Sequence, residues 1–231
     1  DPTSPFTGGA FLGDRVRMQE LSTDPGVYIR SMATRNSPGG LARATKDATR
    51  VLDAAGKDVV IVETVGAGQS EVDIVKVAHT IVLVLAPGLG DEIQAIKAGL
   101  MEIGDIFVVN KADRDNADKA VSDIQTMLEM NTEKKGWKPP VLKTIALTGE
   151  GTTELIRQIE AHRSYLKAGA LEERRKQRIE TELEEAIKQK IADFILNDLK
   201  QKGEWQNLMQ KILARETDSY SAADGLLAKR L

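Results

Sequence analysis

Four short apolar runs, at residues 58–62, 81–86, 106–109 and 141–145, restrict the folds open to this chain more than any other feature. They are rich in β-branched residues and lack alternation, and the fourth is the weakest. A strand with one wet face alternates apolar and polar residues, whereas a strand covered on both faces does not. The segments between the runs carry helical spacing, as at 92–103 and 116–130. Strand–helix–strand repetition predicts an α/β fold with a doubly wound, mostly parallel sheet. In such sheets the functional site lies at the carboxyl ends of the strands.

The flanking segments read differently. The first forty residues are rich in Gly, Pro, Ser and Thr and read as loop. From 40 to 55 the spacing predicts a helix, with Leu41, Ala44, Ala48, Val51 and Leu52 on one face and Gly56 as its stop. After about Tyr165 the strands end. Residues 170–200 predict one long charged helix with a narrow stripe of Ile179, Leu183, Ile187 and Ile191. Gly203 interrupts it, a second helix covers 204–215, and a short one runs from 221 to the end, capped by Ser219 or Ser221. The stripe has two readings at this point: a surface helix packed on the domain, or an arm that dimerises.

Composition removes several function classes. The chain has no cysteine, which excludes disulfides, thiolate metal sites and cysteine nucleophiles. Its two histidines, His79 and His162, exclude a histidine-rich metal site. A net charge of −3 gives no general attraction to nucleic acid or to an anionic membrane. No apolar run approaches the roughly 18 to 20 residues a membrane span needs, and no signal-peptide pattern opens the chain. A cytoplasmic protein is the expectation. Hydrophobic residues at 41% suffice for a core, which rests on Val, Ile, Leu and Ala because aromatics are only 4%.

Three loops after predicted strands carry the chemistry. Asn110-Lys111-Ala112-Asp113 follows the run at 106–109. Guanine presents two adjacent donors, its ring N1–H and its 2-amino group, and the carboxylate of Asp113 can accept both. Adenine offers an acceptor at N1 and would leave that carboxylate unpaired. The stem of Lys111 can lie along the purine face, and Asn110 can brace the loop. The bland reading is a surface turn with a helix cap. Glu63-Thr64-Val65-Gly66 ends the run at 58–62. An acid there can hold a Mg²⁺-bound water, and the N–H of Gly66 can approach a terminal phosphate. Ala146-Leu147-Thr148-Gly149 follows the run at 141–145, where the N–H of Ala146 can donate to guanine O6. Alone, this third motif is a common turn.

Further segments narrow the assignment. The chain opens Asp1-Pro2-Thr3-Ser4 and continues with Gly8-Gly9-Ala10-Phe11-Leu12-Gly13-Asp14-Arg15. Tyr28-Ile29-Arg30, Gly39-Gly40-Leu41-Ala42-Arg43 and Ala67-Gly68-Gln69-Ser70-Glu71 follow, then Pro87-Gly88-Leu89-Gly90-Asp91-Glu92 and the closing Asp218-Ser219-Tyr220-Ser221. This ordered series, from Asp1 to the end, resembles the methylmalonyl-CoA mutase-associated GTPases, which include relatives once described as an arginine-transport kinase. The resemblance implies a P-loop GTPase-type domain over residues 1–166 and a helical dimerisation arm over 167–231, a C-terminal helical extension of the sheet domain. It implies GTP/GDP and Mg²⁺ as ligands, with Asp1 and Glu63 at the metal and Gly66, Asn110, Lys111, Asp113, Ala146 and Leu147 at the nucleotide. Residues 63–71 resemble a second switch and residues 88–99 a third. Lys97 matches a lysine of that third switch linked to hydrolysis, although a solvated helix lysine reads the same. The family works as a homodimeric chaperone that assists cofactor loading and protection of a cobalamin-dependent acyl-CoA mutase.

One departure stands out. No G-x-x-x-x-G-K-[ST] loop occurs in these residues; in relatives it lies upstream of the position matching Asp1. That loop supplies the phosphate cradle, and its strand fills the sheet. The expectation is therefore a shortened chain that binds GTP poorly or not at all, with GTPase activity belonging to the complete protein. Two other readings stay open: a metal-delivery GTPase, which the lack of cysteine disfavours, and a truncated, non-hydrolysing binding module.

Overall fold

The computed structural model describes residues 18–21, 23–33, 41, 42, 44–64, 71–88, 101–130 and 136–228. The chain divides into two compact units, Asp1–Leu171 and Glu172–Leu231. In the first, the described elements are a 3-10 turn Gln19–Leu21, helix α1 (Thr45–Ala54), a 3-10 turn Glu71–Lys76, strand β1 (Val82–Leu85), a short helix α2 (Met101–Ile103), strand β2 (Ile106–Asn110), helix α3 (Ala117–Met130), strand β3 (Val141–Thr144) and helix α4 (Thr152–Tyr165). The strands form a parallel sheet in the order β1-β2-β3.

β2 is the middle strand, and its composition explains why. Ile106, Phe107, Val108 and Val109 are all essentially without solvent exposure, so both faces are covered. Its backbone pairs on both sides, Val109 with Leu85 and with Lys143. Helix α3 covers one face. Its residues Ala117, Ala120, Val121, Ile124, Met127 and Leu128 recur at three- and four-residue steps and pack on Phe107 and Val109. A second cluster joins Leu41, Ile74 and Ile81 with Val62, Val77, Ala78 and Ile103.

The structure corrects two strand expectations. Residues 58–62 form no strand: the segment is extended, with Val60 and Val62 half-buried, while Val59 is 73% and Ile61 87% exposed. A strand needs a neighbour for its N–H and C=O groups, and among the described residues β1 is laddered only to β2. Nor is the run at 81–86 covered on both faces, since Val84 is exposed while Leu83 and Leu85 pack inward. Helix α1 begins at Thr45, later than the spacing predicted. Of the helix expected at 92–103, only Met101–Ile103 lies within the described residues.

A polar cluster sits inside the first unit at the amino ends of β1 and β2. His162 of α4 is fully buried. Its Nδ1 is 2.9 Å from the Thr80 hydroxyl and its Nε2 3.4 Å from the Asp105 carboxylate. Asp105 also accepts the Ile81 N–H at 3.0 Å, and its carbonyl accepts the Trp137 indole N–H at 2.8 Å. The rings of Trp137 and His162 lie 4.8 Å apart. Buried polar groups need such partners, and here they tie α4 to the sheet.

A π-helical turn, Leu166–Ala170, with Gly169 at φ 146°, follows α4. The second unit comprises most of helix α5 (Leu171–Gln201), then α6 (Glu204–Leu213) and α7 (Ser219–Leu227). Along α5, Ile179, Leu183, Ile187 and Ile191 are each about half exposed, at 48–59%. No helix among the described residues is long and apolar enough to cross a membrane. The cap of α7 is Asp218, not Ser219 or Ser221. Its carboxylate accepts the N–H groups of Tyr220 and Ser221, at 2.8 and 3.0 Å, and the Ser221 hydroxyl at 2.6 Å. A carboxylate satisfies several orphan donors at once and complements the helix dipole.

Two predictions follow from this packing. A Cβ added at Gly104 would lie 2.6 Å from the ring of fully buried Phe107. Gly104→Ala is therefore expected to destabilise the first unit by about 1–3 kcal/mol in urea unfolding. The Ser221 hydroxyl, followed by the Ser221 and Tyr220 amides, lowers the pKa of Asp218. A group with a depressed folded pKa stabilises fully above its unfolded value of about 3.9, and that contribution disappears as pH falls through the folded value. Amide shifts of Tyr220 and Ser221 should thus titrate with a midpoint below about 3.9, and Asp218→Asn should abolish the titration.

Candidate functional site

β2 and β3 end side by side, with Asn110 in register with Thr144. Each strand then opens into a loop, and three hydrogen bonds join the two strand ends and loops. The Asn110 side-chain oxygen accepts the Thr144 hydroxyl at 3.2 Å and the Ala146 N–H at 3.1 Å. The Thr144 carbonyl accepts the Ala112 N–H at 3.1 Å. Asn110 is half-buried and Thr144 is buried, so these bonds are partly shielded from competing water.

The loop after β2 turns sharply. Lys111 adopts φ 58°, in the left-handed region, and its carbonyl accepts the Arg114 N–H at 3.0 Å. A left-handed lysine stores backbone strain of order 1 kcal/mol. The turn leaves Lys111 and Asp113 exposed, while Ala112 is partly covered against the core. The loop after β3 folds on itself: the Ile145 carbonyl accepts from Thr148 and Gly149, and the Ile145 N–H donates to Glu150 at 3.0 Å. This leaves Ala146 exposed and Leu147 98% exposed, a large apolar side chain held in the open. Beside these loops, Lys143 pairs with Asp118 at 2.8 Å, and that hydrogen bond raises the lysine pKa. Both partners are well exposed, so the pair adds little stability.

Asn110, Lys111, Asp113, Ala146 and Leu147 therefore gather at one end of the sheet. Glu63 lies in the extended segment after Val62 and is exposed. Asp1, Gly66 and Lys97 lie outside the described residues. The Ala146 N–H, expected as a donor to a base, here donates to Asn110. Two contributors escaped the sequence reading. Thr144 links the loops, and Gly151 lies against it too closely to carry a side chain. The signal for Thr144, a hydroxyl at the tip of a strand, has meaning only once the register with Asn110 is known.

An exposed carboxylate on a braced loop, a lysine stem beside it and an apolar side chain on the neighbouring loop can together receive a planar ligand with adjacent donors on one edge. Comparison with known proteins agrees with this ligand class. The family model described as methylmalonyl Co-A mutase-associated GTPase MeaB matches residues 1–200. A Pyrococcus abyssi protein named as a GTPase is 54% identical over 98% of this chain and 71% of its own length. A Caenorhabditis elegans protein named methylmalonic aciduria type A homolog, mitochondrial, is 37% identical over 83% of this chain and 49% of its own length. The crystal structure of an LAO/AO transport system kinase superposes with a TM-score of 0.67 at 24% identity, covering 91% of this chain and 68% of that one, which shows a common α/β fold. With the fold, the braced loops and the match over residues 1–200 in agreement, the chain belongs to the methylmalonyl-CoA mutase-associated GTPase family.

Proposed function

We propose that the protein binds guanine nucleotide through Asp113 and hydrolyses GTP as a chaperone of a cobalamin-dependent acyl-CoA mutase, assisting cofactor loading and protection. The brace that supports this reading most directly is the Asn110 carboxamide, which holds the loops of Asp113 and Ala146 together at the carboxyl end of the sheet. Asp113 accepts the N1–H and 2-amino donors of guanine. Lys111 lays its stem along one face of the ring, and Leu147 is positioned to cover the other. Ala146 shares its N–H between Asn110 and the base oxygen.

The phosphates lie toward the second switch. The N–H of Gly66 senses the terminal phosphate, and Lys97 stabilises charge that develops on it during transfer. Asp1 and Glu63 would hold Mg²⁺ through its water shell. Glu63 is exposed at the end of its segment, in keeping with an ion that takes one or two carboxylates and completes its shell with water and phosphate. When bound, Mg²⁺ supplies charge neutralisation at the phosphates. Hydrolysis relaxes the switch segments, which changes the surface offered to the mutase.

Residues 167–231 serve as the dimerisation arm of a cytoplasmic homodimer, with the exposed stripe Ile179, Leu183, Ile187 and Ile191 as its contact. The net charge of −3 gives no reason to invoke nucleic acid or an anionic membrane as partner.

The test uses the protein with its whole encoded sequence. Asp113→Asn is expected to weaken GDP binding at least about a hundredfold and to favour xanthosine diphosphate, whose 2-oxo group suits the amide donor. Unchanged GDP affinity, or no gain for xanthosine diphosphate, would overturn the assignment.

A further inference from the structure

We infer that Thr144 is a positioning residue of the base site, locked in place by the backbone of Gly151. The inference rests on the guanine reading of the site and assigns neither residue a contact with the base. Thr144 is 6% exposed at the tip of β3. Its hydroxyl donates to the Asn110 side-chain oxygen at 3.2 Å, and its carbonyl accepts the Ala112 N–H at 3.1 Å. One residue thus grips the loop of Asp113 twice, by its side chain and by its main chain.

The Ala146 N–H fixes which way the Asn110 amide faces, because it can only donate, and the Thr144 hydroxyl then donates to the same oxygen. A carboxamide approached by two donors presents its oxygen to both. Here the donors are the Thr144 hydroxyl and the Ala146 N–H, which meet the same oxygen at 3.2 and 3.1 Å. The Asn110 NH₂ group is turned away from them. Without the hydroxyl, the Asn110 oxygen loses one of its two hydrogen bonds, and the acceptor of the Ala146 N–H is held less firmly.

Gly151 explains why the hydroxyl points where it does. It has φ 78°, and a Cβ there would lie 2.2 Å from the Lys143 carbonyl oxygen and 3.1 Å from both Cα and Cγ2 of Thr144. The start of α4 is therefore pressed against the methyl of Thr144, which leaves the hydroxyl on the side of Asn110. Any side chain at 151 would push this contact apart and strain the left-handed backbone as well.

Thr144→Val separates positioning from packing, because it keeps the shape and removes only the hydroxyl. Amide hydrogen exchange reads the effect without any ligand. The Ala146 amide is expected to exchange about fivefold faster or more in Thr144→Val, with Phe107 and Val108 unchanged and Thr144→Ser falling between the two, since serine keeps the hydroxyl but not the methyl that Gly151 holds. In the protein with its whole encoded sequence, GDP affinity should fall about three- to tenfold in the valine variant and recover in part in the serine variant. Unaltered Ala146 exchange, or unaltered GDP affinity alongside faster exchange, would overturn the inference. If the valine variant does not fold, the unsubstituted protein still decides: a Thr144 hydroxyl proton in fast exchange with water, rather than protected and close to Asn110, sinks the proposal. The control Asp113→Asn tests the guanine reading separately, since its failure to shift preference toward xanthosine diphosphate leaves the amide result for Thr144 intact.

Discussion

The double pairing of β2 is the constraint on which the first unit depends. A strand covered on both faces can satisfy its backbone only through its neighbours. Ile106–Val109 meet that demand by laddering to β1 on one side and β3 on the other. The apolar residues of β2 then leave no choice about what lies above and below it, and α3 supplies one of those layers. At its amino end the strand is held by Asp105, which links the sheet to His162 and Trp137. At its carboxyl end it delivers Asn110 to the same level as Thr144.

From that point the chemistry is a matter of loop control. Exposed loops are mobile unless something ties them, and a recognition carboxylate on a mobile loop loses affinity to the ordering cost. Here the tie is made by groups that do not themselves need to touch the ligand. Asn110 and Thr144 hold the two loops, the left-handed Lys111 forces the turn, and Asp113 is left exposed to solvent. Strain at Lys111 is tolerable because residues 106–109 of the strand beneath it are fully buried.

Much of this was legible in the residues themselves. A continuous apolar run ending in Asn-Lys-Ala-Asp places a strand and its loop, and a helical period from Ala117 onward places α3. What local pattern could not supply was pairing. The run at 58–62 has the composition of a strand, yet its fate depends on a neighbour, and Val59 and Ile61 face outward. α4 escaped explicit notice because its apolar positions are few and its main anchor is a histidine whose partners, Thr80 and Asp105, are remote in sequence. The cap of α7 was misplaced by one to three residues, because the carboxylate of Asp218 outcompetes the serines that follow it for the same amides. Residues 89–99 of the third expected switch, Lys97 among them, and the residues Asp1 and Gly66 fall outside the described residues.

The central claim is that one carboxylate reads two neighbouring donors on a purine. Inosine diphosphate differs from GDP only in lacking the 2-amino group, so comparing their dissociation constants isolates one of those two bonds. Since a hydrogen bond to a charged group contributes about 1.5–3 kcal/mol, the account predicts inosine diphosphate to bind roughly ten- to a hundredfold more weakly than GDP. Equal affinities for the two nucleotides would contradict it.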